Sequence, residues 1–164
     1  PHEVMTRVVL DTNIVLDLWL FSDPKCTPLQ EDLDAGALEW QATQPMRDEL
    51  ARVLTYPHLN ARLQKNGQQA QALLARYDQA VTWQAVAPKA IYVCKDADDQ
   101  KFVDLAVTQQ ALLISKDAEV LALKNRLARL GVPVLPTYPS SSSRAQRSDP
   151  SPAREIAAAL QASQ

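Results

Sequence analysis

Apolar residues before position 139 follow two alternating patterns, short runs and longer stretches with helical spacing. The short runs lie at residues 7–10, 38–42, 81–86, 112–115 and 132–135, and each predicts a strand, although polar residues interrupt those at 38–42 and 81–86. Helical spacing predicts helices at residues 13–21, 27–35, 45–54, 58–64, 68–80, 98–110 and 118–130. Strands that alternate with helices predict a parallel sheet flanked by helices.

The composition changes at residue 139. Residues 139–164 contain seven serines and no aromatic residue, so they cannot form a hydrophobic core of their own. We therefore divide the chain into a domain at residues 4–138 and a tail at residues 139–164. The tail is expected to be a flexible linker with a short helix after Pro152, because proline suits the first helical position.

Charge and hydropathy argue against a membrane protein but leave open whether the protein binds nucleic acid. A formal net charge of −2 neither favours nor excludes a nucleic-acid partner, so such a partner would need a local site. No apolar run reaches the roughly 18–20 residues that span a bilayer, and no signal-peptide pattern opens the sequence. Cys26 and Cys94 lie far apart and are expected to be free thiols. These features predict a cytoplasmic protein without a membrane segment.

Acidic residues fall where ligands bind in parallel α/β sheets, beyond the carboxyl ends of the strands. Asp11 directly follows the first strand, and Asp117 follows the strand at residues 112–115. Asp99 lies in the first turn of a predicted helix, and Glu49 borders the apolar face of another. Each alone is explained as a helix cap or a surface residue. Together they are expected to converge, and converging carboxylates need protons or hard cations such as Mg²⁺ or Mn²⁺.

The densest acidic stretch, DADDQKFVD at residues 96–104, contains four aspartates. We expect Asp98 to cap the following helix and Asp99 to face the metal. Asp96 and Asp98 remain alternatives for the metal-facing position if this register is shifted.

Four short blocks carry a resemblance to a known family. They read LDTN at residues 10–13, RDEL at 47–50, DADDQKFVDLA at 96–106 and ISKD at 114–117. In this order and spacing they resemble the PIN-domain family, in the branch described as toxin components of toxin–antitoxin pairs. The resemblance covers about residues 7–136. It implies a three-layer α/β/α sandwich with a central parallel sheet, and a ribonuclease that depends on Mg²⁺ or Mn²⁺. The acids of that family match Asp11, Glu49, Asp99 and Asp117.

The resemblance also suggests substrate contacts and partners. Thr12 and Asn13 match the polar residues after the first acid. Where the family commonly has Thr-Gly-Asp, this chain has Ser115 and Lys116 before its fourth acid. Lys116 either weakens metal binding or contacts phosphate, and Lys101 is a second candidate phosphate contact; both could also be solvated cations that balance the acids. RNA is the expected substrate, and a cognate antitoxin and a homodimer are candidate assemblies.

Two rival functions are considered. A phosphotransferase of the haloacid-dehalogenase type also opens with an aspartate at a strand end, but it typically has a second aspartate where this chain has Asn13. The other rival is a PIN-like module with impaired catalysis that binds RNA or protein. Catalysis centred on histidine is disfavoured, because His2 and His58 lie outside any motif, and His58 is expected at the surface or in a turn.

Overall fold

The computed structural model describes residues 5–139. The predictions of a flexible linker and a short helix in the tail therefore concern residues that lie outside the described ones. Within residues 5–139, no helix is long and apolar enough to cross a membrane.

The centre of the molecule is a five-stranded parallel sheet with the strand order β3-β2-β1-β4-β5. The expectation of a central parallel sheet flanked by helices is confirmed. All the strands are short, and those of the central part of the sheet are apolar and buried where β1 ends and throughout β4, as is typical of strands that are covered on both faces. The strands are β1 (Thr6–Leu10), β2 (Leu38–Ala42), β3 (Val81–Trp83), β4 (Leu112–Ile114) and β5 (Val134–Leu135).

Helices connect the strands and cover the sheet. The chain builds the sheet outward from β1 through β2 to β3, and then returns to the other side of β1 to add β4 and β5. Because the crossovers are right-handed, this reversal places the helices of the two halves on opposite faces of the sheet. Two 3₁₀ turns, Pro24–Cys26 and Ala97–Asp99, precede α2 and α6. The helices are α1 (Thr12–Trp19), α2 (Thr27–Asp34), α3 (Gln44–Val53), α4 (Pro57–Asn66), α5 (Ala70–Ala80), α6 (Gln100–Gln109), α7 (Ala118–Leu121) and α8 (Lys124–Arg129).

Several predicted boundaries were wrong. The strand predicted at residues 81–86 ends at Trp83, and Val86 is 67% exposed, so its apolar character does not mark a buried strand. The single helix predicted at residues 118–130 is two helices, because the backbone turns between Leu121 and Lys124. Residues 98 and 99 belong to a 3₁₀ turn, and α6 begins only at Gln100.

The loop between β3 and α6 is fastened to α6 by side-chain amides and carboxylates. Gln100 accepts a hydrogen bond from the backbone N–H of Cys94 and donates one to the carbonyl of Tyr92. Asp104 accepts from the backbone N–H of Ala90 at 2.8 Å and from the Gln100 amide at 2.7 Å. These bonds fix the approach of the chain to the acidic stretch that follows.

Candidate metal centre

Strand β1 is the point at which the direction of the connections reverses. It pairs with β2 on one side and with β4 on the other. Asp11 leaves the carboxyl end of β1, and Ser115 and Asp117 follow β4 beside it. Such a switch point opens a crevice at the carboxyl edge of the sheet, where ligands of α/β proteins bind.

Asp11 is a buried carboxylate held by hydrogen bonds. The residue is 3% exposed. The Ser115 hydroxyl donates to its Oδ2 at 2.6 Å, and the backbone N–H of Asn13 donates to its Oδ1 at 2.8 Å, which also caps α1. Burial raises the pKa of Asp11, while these hydrogen bonds oppose the shift. The side chain is therefore fixed in place although its charge is costly to bury.

Asp117 is oriented by the helix that it caps. Its Oδ1 accepts from the backbone N–H groups of Glu119 at 2.8 Å and Val120 at 3.3 Å. Its own backbone N–H donates to the hydroxyl oxygen of Ser115 at 3.1 Å. Ser115, which is completely buried, thus ties the backbone of Asp117 to the carboxylate of Asp11.

Asp99 is the most perturbed acid in the crevice. Its Oδ2 is buried and has no hydrogen-bond partner among the described residues. Burial raises the pKa of Asp99 to about 7, and the negative charges of its acidic neighbours, Asp117 above all, add to the shift. A buried carboxylate oxygen without a partner is rare in proteins. The charge of this oxygen therefore needs a cation or a proton to compensate it.

The expected capping role of Asp98 is wrong. Its side chain is exposed, and the residue that caps the 3₁₀ turn is Asp96, whose Oδ1 accepts from the backbone N–H of Asp98 at 3.0 Å. Asp99 stands at the junction with α6 and makes no capping hydrogen bond through its side chain. Its carboxylate remains available for the crevice.

Glu49 reaches the crevice from α3 on the other side of β1. The hydroxyl of Thr12 donates to its Oε2, and the ammonium of Lys101 binds its Oε1. The side chains of Lys101 and Glu49 are only 22% and 13% exposed. Lys101 also donates to the backbone carbonyl of Asp98. Both oxygens of Glu49 are therefore engaged by the chain itself.

The carboxylates fit a divalent cation. Oxygens of Asp96, Asp99 and Asp117 all lie within 4.8 Å of one another. Oxygen donors of this kind suit Mg²⁺ and Mn²⁺, and the partnerless Oδ2 of Asp99 is one of the groups that such an ion would satisfy. Asp96 thus belongs to this group, although the sequence offered it only as an alternative to Asp99.

Asp99 links this group to a cleft of about 230 Å³ that it shares with Asp11 and Glu49. Tyr56 and His58 also line this cleft, with their ring centroids 6.5 Å apart. The exposed guanidinium of Arg52 lies beside the Tyr56 hydroxyl.

The sequence predicted that His58 lies at the surface, and its exposure confirms this, but the sequence did not predict its place at the rim of the cleft. Only the three-dimensional packing of α4 reveals it.

The five predicted substrate contacts have different surroundings. Thr12 and Lys101 hold Glu49, and Ser115 holds Asp11. The side chain of Asn13 is exposed at the cleft and makes no hydrogen bond within residues 5–139. Lys116 is paired with Asp17 of α1, and both line a separate pocket.

The fold and the acids define an α/β protein with a candidate divalent-metal site at its switch point. A family model described as PIN domain matches residues 7–119, which include all the acids of the site. The chain belongs to the PIN domain family. Proteins of this family are generally metal-dependent nucleases that act on nucleic acid. No curated protein matches the chain significantly.

Proposed function

We propose that the protein is an endoribonuclease that hydrolyses RNA phosphodiester bonds with Mg²⁺ or Mn²⁺. The observation that carries the proposal is the buried, partnerless oxygen of Asp99 within a group of acids at the switch point. Family membership supports the reaction class, since PIN domains are generally metal-dependent nucleases.

In this proposal the acids divide into ligands and neighbours. Asp96, Asp99 and Asp117 would hold the cation, and Asp11 and Glu49 line the adjoining cleft. When bound, the cation supplies Lewis-acid chemistry, because it polarises a phosphate and favours a hydroxide nucleophile at neutral pH. The chain contributes position: Ser115 fixes Asp11, and the first turn of α7 fixes Asp117.

The rim of the cleft suits an unpaired nucleotide. Tyr56 is 41% exposed and stands beside the ring of His58, which offers a flat surface on which a base can stack. Arg52 beside Tyr56 can contact a phosphate. We therefore infer that the substrate is single-stranded or looped RNA, with the scissile phosphate near the acids and an adjacent base on the aromatic rim.

The predicted polar contacts are assigned by their surroundings. Asn13 is proposed as a direct contact, since its side chain is exposed at the cleft. Thr12, Lys101 and Ser115 are proposed to act through the acids they hold. Lys116 contacts phosphate only if the substrate draws it away from Asp17.

The biological setting is proposed from the sequence blocks that resemble the toxin branch. We propose that the nuclease is the toxin of a toxin–antitoxin pair and acts in the cytoplasm on cellular RNA. A cognate antitoxin and a second copy of the chain are its proposed protein partners. A gene for a small DNA-binding protein directly beside this one would support the assignment.

Cleavage assays on a labelled single-stranded RNA test the proposed reaction. Wild type is expected to cleave with Mn²⁺ or Mg²⁺ and to be inactive in excess EDTA. Asp99→Asn is expected to lose at least about 100-fold in rate, since even groups that only support metal ligands contribute about 10–100-fold. Asp48 is an exposed acid of α3 beside Glu49, so Asp48→Asn is the matched control and should retain the wild-type rate.

Cleavage that persists in EDTA would refute metal dependence. RNA binding without any cleavage would favour the binding module.

A second experiment tests the proposed substrate class. Tyr56→Leu is expected to raise KM for single-stranded RNA by about 5–150-fold, which corresponds to about 1–3 kcal/mol for one stacked base. Tyr56→Phe keeps the ring and should restore most of the affinity. Trp83 is 42% exposed, nearly the same as Tyr56, but does not line the cleft, so Trp83→Leu is the control. Equal effects of the two leucine variants would contradict the aromatic rim.

A further inference from the structure

Lys101 has a setting that a simple role as a phosphate contact does not explain. It lies in the first turn of α6, and its ammonium binds both the Glu49 carboxylate and the backbone carbonyl of Asp98. Only 22% of the lysine side chain is exposed. A lysine that serves mainly to attract phosphate would be expected to extend into the cleft, with its ammonium accessible.

The pair of Lys101 and Glu49 is neutral and mostly withdrawn from water. Separating such a pair would leave two uncompensated charges of low exposure, which is strongly unfavourable. The other oxygen of Glu49 accepts from the Thr12 hydroxyl, which further fixes the carboxylate. Glu49 therefore contributes little net negative charge to the cleft, although it lines the same cleft as Asp11 and Asp99.

Only some of the acids are close enough to one another to share a cation. Among the described residues, these are Asp96, Asp99 and Asp117, and Glu49 is not one of them. A hydrolase with two metals needs carboxylates around two positions about 3.5–4 Å apart. Outside that group the cleft is lined by two further acids, Asp11 and Glu49, and the charge of Glu49 is already balanced by an ammonium.

We propose that Lys101 is a built-in counter-cation that takes the place of a second metal ion, so that the cleft holds a single divalent cation. This inference rests on the proposed function for the presence of a metal. It assigns Lys101 a positioning role that acts through Glu49, and it defines the enzyme as a one-metal nuclease.

The test is the stoichiometry of Mn²⁺ binding to the full chain, measured by titration calorimetry and by electron paramagnetic resonance. Wild type is expected to bind one Mn²⁺ and to show the spectrum of an isolated ion at saturation. Lys101→Met frees Glu49 and should bind a second Mn²⁺, with spectral coupling between the ions. Lys101→Arg keeps the positive charge and should restore a single site. Lys116→Met removes a lysine–carboxylate pair outside the acidic group, with Asp17, and should also leave a single site.

Each outcome bears on a separate claim. A single Mn²⁺ in Lys101→Met, with RNA affinity reduced, would overturn the inference and make Lys101 a phosphate contact. Coupled ions in wild type would overturn it without any variant. The double variant Lys101→Met with Glu49→Gln should return to one ion, and two ions there would refute the role of Glu49. Wild type that binds no Mn²⁺ would instead refute the metal dependence of the proposed function.

Discussion

Strands β1 and β4 are apolar to their last residue, and directly after it the side chains are polar but equally buried. Val8 and Val9 are completely buried and Leu10 is 2% exposed, while the next residue, Asp11, is 3% exposed. In β4, Ile114 is 1% exposed and Ser115 is completely buried. The last residues of these two strands and the polar residues that directly follow them thus have the same burial but opposite chemistry.

The two regions contribute opposite terms to stability. Apolar burial in the interior gains about 25 cal/mol for each Å² removed from water. Burial of a carboxylate costs free energy unless hydrogen bonds or a cation compensate it. Asp11 is compensated by Ser115 and the backbone of Asn13, but the Oδ2 of Asp99 is not. The interior therefore stabilises the fold, and the edge holds charges that are ready for a cation.

The largest expected effect comes from the interior. Leu113 of β4 is completely buried between β1 and β5, and Leu113→Ala should lower the free energy of unfolding by about 2–5 kcal/mol through lost burial and a cavity. Val86→Ala is the control, because Val86 is 67% exposed and its truncation should change stability by less than about 0.5 kcal/mol. Denaturant melts measure both. A loss below about 1 kcal/mol for Leu113→Ala would show that the sheet interior does not carry the stability.

The same contrast explains what the sequence could predict. Short apolar runs and helical spacing are local, so the strands, the helices and the parallel sheet were predictable. The rule for strand ends predicted the positions of Asp11 and Asp117, and the helical patterns predicted those of Asp99 and Glu49. In the structure Asp11, Glu49 and Asp99 line one cleft, and Asp117 lies in the acidic group with Asp99.

Features that depend on contacts between distant segments were not predictable. Lys101 meets Glu49 across 52 positions of the chain, and Tyr56 reaches the cleft only through the packing of α4. Apolar Val86 was assigned to a strand although the loop leaves it exposed. Asp98 was preferred as a cap because a run of aspartates offers several candidates, and only the backbone geometry selects Asp96.

A smaller effect of opposite sign is expected at the carboxyl edge. In metal-free protein, Asp99→Asn removes one of several repelling charges at nearly constant shape. The removed repulsion amounts to about 0.5–1 kcal/mol, a Coulombic estimate that is reduced for solvent screening. The lost interaction with the start of α6, about 0.3–1 kcal/mol, opposes it, so the expected net rise in the free energy of unfolding is small. Denaturant melts of metal-free protein measure the difference.

The control for this variant is Asp48→Asn rather than a change at Asp104. Asp104 accepts hydrogen bonds from Ala90 and Gln100, so its replacement would loosen the loop. Asp48 is exposed and outside the acidic group. Saturating Mg²⁺ should reverse the order of wild type and Asp99→Asn, because only wild type keeps the full ligand set. Equal stabilisation of all variants by Mg²⁺ would show that the acids do not form one site.

The most specific effect is the dependence of this difference on pH. The pKa of Asp99 is raised to about 7 in the folded protein, chiefly by burial, from an ordinary value of 3.8. The folded state therefore binds the proton more tightly than the unfolded state. The contribution of this proton binding to stability is complete below pH of about 4 and is lost as the pH rises through about 7.

Metal-free wild type should lose stability over this window relative to Asp99→Asn, whose side chain does not titrate. Melts of both proteins at several pH values, after removal of metal, measure the difference. It should grow between pH of about 4 and 7 and stay constant above. A difference that does not change with pH would mean that Asp99 is ionised and solvated in the folded protein, and that the carboxyl edge carries no uncompensated charge.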